Sequence, residues 1–118
     1  MSSALRDGQA LRKVARSYVR KCFREETPPQ VNELAVLLDV PPYELSRLFA
    51  NATGEPLSTY LKRMQIVRAR GLLRRTGLSL NQIAYASGFG TRASFFRAFR
   101  KACGCTPLEF RKGAACGL

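Results

Sequence analysis

Arg47 and Arg97 stand fifty residues apart in the same setting of apolar residues, and a guanidinium used twice in one frame is the first sign of chemistry in the chain. The frame itself recurs. Leu34-Ala35, Leu45, Arg47, Phe49, Gly54 and Tyr60 return as Ile83-Ala84, Phe95, Arg97, Phe99, Gly104 and Phe110. The first two pairs are offset by 49 and the other five by 50, so the second copy carries one extra residue in the short segment between its halves. An internal repeat this dense in Leu, Phe and a lone Arg argues for one supersecondary unit used twice.

Charge supplies the second signal. The 118 residues hold 20 Lys and Arg against 8 Asp and Glu, a net charge of +12. From residue 57 onward Lys62, Arg63, Arg68, Arg70, Arg74, Arg75, Arg92, Arg97, Arg100, Lys101, Arg111 and Lys112 face a single acid, Glu109. Such a field attracts nucleic acid or an anionic membrane. The apolar positions read as a core rather than a lipid-facing stripe, which favours nucleic acid.

Other chemistries are poorly supplied. There is no histidine, and the eight carboxylates are scattered, so no acid-base pair can be placed across a substrate and an enzyme is not expected. Cys22, Cys103 and Cys105 look like small core residues, and with Cys116 their spacing matches no zinc module; neither metal nor cofactor is expected. No run of eighteen apolar residues occurs and Met1-Ser2-Ser3-Ala4 opens no signal peptide, so the chain reads as soluble and cytoplasmic with no membrane partner.

The elements that must position these residues are helical. Leu11, Val14, Ala15, Tyr18, Val19, Cys22 and Phe23 form one stripe, predicting an amphipathic helix over about 9–24 after a disordered segment 1–8. Thr27-Pro28-Pro29 breaks it, and Val31 to Leu38 makes a short second helix ending at Asp39. Pro42 suits the first position of a third helix that stops near Gly54. A long helix from Leu57 to Arg75 bears Leu57, Tyr60, Leu61, Met64, Val67, Leu72 and Leu73, and ends by Gly77. Ser79 with Gln82 fits a capping box for a helix through Ile83-Ala84 that turns at Gly88; Thr91 can cap the next, running to Gly104. Thr106, Pro107 and Glu109 open a last short helix, and 113–118 reads as a flexible tail.

A short helix, a tight turn and a second helix beginning about eight residues after an apolar-Ala pair is the helix-turn-helix arrangement. Its small Ala lets the helices approach, and its second helix presents a face to the major groove. Residues 57–74 as a straight helix would be about 27 Å long, approaching the roughly 34 Å turn of B-DNA. One rod could thus set both units on one face of a duplex.

The chain resembles the DNA-binding domain of the AraC/XylS type of bacterial transcriptional regulators, over about residues 10–112. Ile83-Ala84, Gly88-Phe89, Phe95, Arg97, Phe99, Gly104, Pro107 and Phe110-Arg111 carry the match in the second unit. In the first it rests on Leu34-Ala35, Leu45, Arg47, Phe49, Gly54 and Tyr60-Leu61. The resemblance implies an all-α domain of seven helices over 9–112: lobe one (about 9–56), a linking helix (57–75) and lobe two (79–112). It further implies sequence-specific binding of double-stranded DNA in successive major grooves, and transcription regulation. Recognition helices are expected at about 42–52 and 92–103.

Carried over by position, base reading is expected at Tyr43, Ser46 and Arg47 and at Arg92, Ala93, Phe96 and Arg97. Cap or phosphate roles are expected at Pro42, Thr91, Ser94 and Arg100. The arginines can bond O6 and N7 of guanine, and Phe96 can either pack on thymine methyls or cover the edge of the Phe95–Phe99 stripe. RNA polymerase and a sensing or dimerisation domain outside this chain are the further partners implied, and the chain is either a stand-alone member or one domain of a longer protein. Three residues depart from the family's pattern. Pro41 stands where a capping Ser is usual, Gln65 where an Arg is common, and Gly71 lies inside the linking helix at about 0.5–1 kcal/mol relative to Ala. The competing readings are a non-specific basic nucleic-acid-binding bundle and a protein-interaction module on the same fold.

Overall fold

The computed structural model describes residues 7–113, and these form seven helices and no strand. They are α1 (Gly8–Glu25), α2 (Val31–Leu38), α3 (Pro42–Thr53), α4 (Leu57–Arg75), α5 (Leu80–Ala86), α6 (Arg92–Cys103) and α7 (Pro107–Arg111). Asp7 and Gly8, expected in an unstructured N-terminal segment, are ordered instead. The Asp7 carboxylate and carbonyl accept from the Gln9 and Leu11 amides, both at 2.9 Å, so Asp7 satisfies donors that α1 would otherwise leave open. Residues 1–6 of that segment and 114–118 of the expected tail, Cys116 included, lie outside the described residues.

The two helix-turn-helix turns are built alike. Asp39 and Gly88 both take left-handed backbone, φ 57° and 77°. Their amides donate to the carbonyls of Val36 and Tyr85, and those of Val40 and Phe89 reach back to Ala35 and Ala84, at 2.9–3.1 Å. Each turn therefore satisfies carbonyls that the ending helix leaves open, and buries the apolar residue that follows. Ala35 and Ala84 are fully buried beneath these turns, where a larger side chain would hold the paired helices apart.

The chain divides into two compact units, and the division falls inside α4, between Arg63 and Met64. The first unit takes α1 as far as Cys22 and Pro29–Arg63. Its core includes Leu11, Val19, Leu34, Leu45, Phe49 and Tyr60, with the Phe49 and Tyr60 rings 5.4 Å apart. Gln30 gives α2 no side-chain cap; the Tyr18 hydroxyl of α1 takes the Gln30 amide at 2.9 Å and donates to the Glu33 carboxylate at 2.6 Å. Burial, and then this bond to Glu33, push the Tyr18 hydroxyl's pKa well up. Arg12 donates to the Thr53 carbonyl at the end of α3.

The second unit takes residues 23–28 and everything from Met64. A row of rings runs through it, Phe89 on Phe95, Phe95 on Phe99 and Phe99 on Phe110, with centroids 5.4–5.8 Å apart. In α4 the buried face is Ile66, Ala69 and Leu73 together with Gln65, whereas Val67, expected on the apolar stripe, is half exposed at 50%. Ser79 with Gln82 and Thr106 with Glu109 form the expected capping boxes. The Thr106 amide and hydroxyl hold the Glu109 carboxyl below its usual range.

Two glycines give opposite expectations. A Cβ on Gly8 would overlap the Ala52 carbonyl oxygen, whereas one on Gly71 would meet only the tip of Arg75 at 3.7 Å. Gly71→Ala should therefore raise unfolding free energy by about 0.5–1 kcal/mol. Gly8→Ala should lower it by about 1 kcal/mol or more. Urea midpoints of the two variants check both signs.

Candidate nucleic-acid interface

The repeat extends from residue type to exposure. Along 41–49 and along 91–99 the same order recurs: three exposed positions, one half-buried, one buried, one half-buried, one exposed, one half-buried, one buried. Leu45 and Phe49 in α3, and Phe95 and Phe99 in α6, are the buried pair four residues apart, at 1% exposure or less. Pinning that face inward turns the opposite face of each helix to solvent. This is how a sequence repeat becomes a duplicated surface.

On α3 the outward face carries Tyr43, 75% exposed, and Arg47 one turn on, with Ser46 half-buried between them. Arg47 lies 3.9 Å from the Glu44 carboxylate, a loose pair whose side chains are 60% and 33% exposed and which therefore contributes little. On α6, Arg92, Ala93 and Arg97 are exposed, Phe96 is half-buried, and Arg100 extends the face by a further turn. No carboxylate lies within ion-pair distance of Arg97 among the described residues.

The helix starts differ. Thr91 accepts from the Ser94 amide at 3.0 Å, a side-chain cap that leaves its own O–H free to donate to a phosphate oxygen. Pro41, in the matched place before α3, makes no side-chain cap, and Pro42 at the first helical position has no N–H to offer. Ser94 is half-buried and Pro42 exposed. The second unit thus begins its helix with more hydrogen-bonding capacity than the first.

Several basic residues of the expected field are committed to the fold. Arg111 bonds the Leu73 and Thr76 carbonyls, both at 3.2 Å, closing the C-terminal end of α4. Arg70 and Arg74 lie over the Phe110 ring at 5.5 and 4.4 Å, and Arg68 over Phe23 at 5.5 Å. Arg63 pairs with Glu55 at 3.1 Å and covers Tyr60. Counting charge along the chain could not separate these from free guanidiniums, because the partners are distant in sequence or are rings and carbonyls without charge.

Gln65 is the residue whose role the sequence left unassigned. It is 5% exposed, and its amide nitrogen donates to the Ser87 carbonyl at 3.1 Å, tying α4 to the turn that leads into α6. A polar residue among the apolar positions of α4 was the available signal. Among the described residues no group of three potential metal ligands converges, and a shallow cavity of about 210 Å³ on α4 is lined by Val67, Arg70, Gly71, Arg74 and Arg75, without a carboxylate or thiol. No helix of the described residues is long and apolar enough to cross a membrane.

Comparison with known proteins agrees with this geometry. A family model described as a helix-turn-helix domain matches residues 34–113. The chain is 33% identical to the HTH-type transcriptional regulator GbdR of Pseudomonas aeruginosa over 92 residues, 78% of this chain and 25% of GbdR, so it spans about a quarter of that relative's length. Among solved structures it is similar to the C-terminal domain of AraT, a response regulator from Geobacillus stearothermophilus. The TM-score is 0.78 and the identity 30%, covering 89% of this chain and 85% of that one. It is also similar to a transcriptional regulator of Chromobacterium violaceum, described among AraC-type DNA-binding domain-containing proteins. There the TM-score is 0.72 and the identity 31%, over 88% and 91% of the two chains.

Replacing Gln65 by Leu leaves the Ser87 carbonyl buried without that donor. Gln65→Leu should cost about 1–3 kcal/mol of stability, measured by urea unfolding.

Proposed function

The chain belongs to the AraC-type helix-turn-helix DNA-binding domains, and from that premise we propose that it regulates transcription by reading a bipartite site in double-stranded DNA. In this reading α3 and α6 enter successive major grooves and present Tyr43, Ser46 and Arg47, and Arg92, Ala93, Phe96 and Arg97. The observation that carries it is the duplicated exposure pattern: two helices, each pinned by a buried pair, offer the same outward positions, and an arginine stands at the same place in both.

Arginine is the side chain suited to this work. Its planar fork can bond O6 and N7 of a guanine together, and a good bidentate contact discriminates by about 1–3 kcal/mol. Arg100, farther along α6, and the free hydroxyl of Thr91 suit phosphate oxygens, which set register without reading sequence. Pro42 and Ser94 border the helix starts in the same role. RNA polymerase and a sensing or dimerisation domain outside this chain belong to the same reading. The relatives are bacterial, so the DNA would be met in the cytoplasm.

The test is a random-site selection with the protein, followed by binding measurements in competition with unrelated DNA at physiological salt. A regulator should prefer its site by a factor of roughly 10³ or more. Arg97→Ala should relax the preference at one base position, at a cost of about 1–3 kcal/mol there. Arg100→Ala should weaken all sequences alike and reduce the salt slope by about 1. Equal loss on every sequence after Arg97→Ala would overturn direct readout by that residue.

A further inference from the structure

We infer that Phe96 is a positioning residue for Arg92 rather than a reader of thymine: its ring holds the Arg92 guanidinium in place at the start of α6. This inference rests on the DNA-reading function proposed above. The Arg92 guanidinium carbon lies 5.0 Å from the centre of the Phe96 ring, one helical turn away. The ring is in turn fixed from below. It meets Phe95 edge-on, 5.7 Å between centroids at 89°, and Phe95 is fully buried in the row that continues to Phe99 and Phe110.

A guanidinium held over a ring face is attracted by the ring's negative quadrupole and needs no carbonyl or carboxylate oxygen for the contact. Its N–H donors are therefore not spent on an oxygen acceptor. A carboxylate partner would occupy those donors, as Glu44 begins to do for Arg47. Arg92 is thereby placed at the first position of α6 with its hydrogen-bonding edge unengaged. Less side-chain freedom then remains to be lost when that edge meets a base or phosphate. The ring face that carries the guanidinium is closed to a thymine methyl. At the matched positions of α3 stand Pro42 and Ser46, neither an arginine nor a ring, so the device belongs to the second unit alone.

Exposed cation–π contacts correspond to about a two- to fivefold effect on binding. On the selected site, Phe96→Leu should reduce affinity by that factor and lose discrimination at the same base or phosphate step as Arg92→Ala. In the Arg92→Ala background Phe96→Leu should add nothing; with Arg92 present, Phe96→Tyr, which keeps the ring, should bind as the wild type does. Replacing each thymine of the site with deoxyuridine should leave the effect of Phe96→Leu unchanged. Additive losses for Arg92→Ala and Phe96→Leu, or a Phe96→Leu loss that disappears on deoxyuridine-substituted DNA, would overturn the inference in favour of a methyl contact. A DNA-free arm keeps it separable from the proposed function. In the wild-type protein the Arg92 side-chain Nε–H should be more ordered by NMR relaxation than that of Arg97, and Phe96→Leu should equalise the two. Equal mobility in wild type overturns the stack whatever the DNA result, while an ordered Arg92 in a protein that selects no site overturns the DNA reading instead.

Discussion

Everything that this surface presents depends on two left-handed residues, Asp39 and Gly88. At each, the helix ends because the backbone reverses hand. The next amide closes on the carbonyl of a buried alanine, and the following apolar residue drops into the core. That closure sets the direction in which the next helix leaves, within the few conformations a hydrogen-bonded turn allows. The buried pairs Leu45–Phe49 and Phe95–Phe99 then fix each helix's rotation about its own axis. Direction and rotation together decide which side chains face out.

The two units solve the same problem with different chemistry. The first uses polar contacts between elements, Tyr18 serving the start of α2 and Arg12 the end of α3, and within α3 Glu44 lies near Arg47. The second adds to such contacts, those of Gln65 and Arg111, a row of rings. Its row of phenylalanines fills the core, and its half-buried end, Phe96, reaches the surface under a guanidinium. Aromatic faces hold cations without consuming their N–H donors, so the second unit keeps more of its hydrogen-bonding capacity free.

Basic residues show how coarse a charge count is as a functional signal. Arg111 completes the end of a helix, Arg70 and Arg74 share one ring, and Arg63 answers a carboxylate. Each still adds to the long-range field, since stacking and capping do not neutralise it. Arg111 and Arg63, however, already spend donors on carbonyls and a carboxylate, and Arg70 and Arg74 are held in orientation by the ring. Arg97 and Arg100 differ from them in what surrounds them rather than in type.

Helix boundaries, capping boxes and both reversals were legible in the sequence because each follows from neighbours within about four residues. Ser79 meets Gln82, Thr106 meets Glu109, and Asp39 and Gly88 sit where the apolar pattern stops. The duplicated arginine was legible for the same reason, as part of a local frame that recurs. Asp7 was missed because a lone cap ahead of a helix looks like any other polar residue near a terminus. Gln65 and Arg111 were decided by the tertiary structure. Whether a polar residue is buried against a carbonyl 22 residues away, or an arginine meets carbonyls 38 and 35 residues back, depends on contacts that exist only once helices are packed. Local hydrogen bonding and periodicity are written in the order of residues; the availability of a charged group to a partner depends on its neighbours in three dimensions.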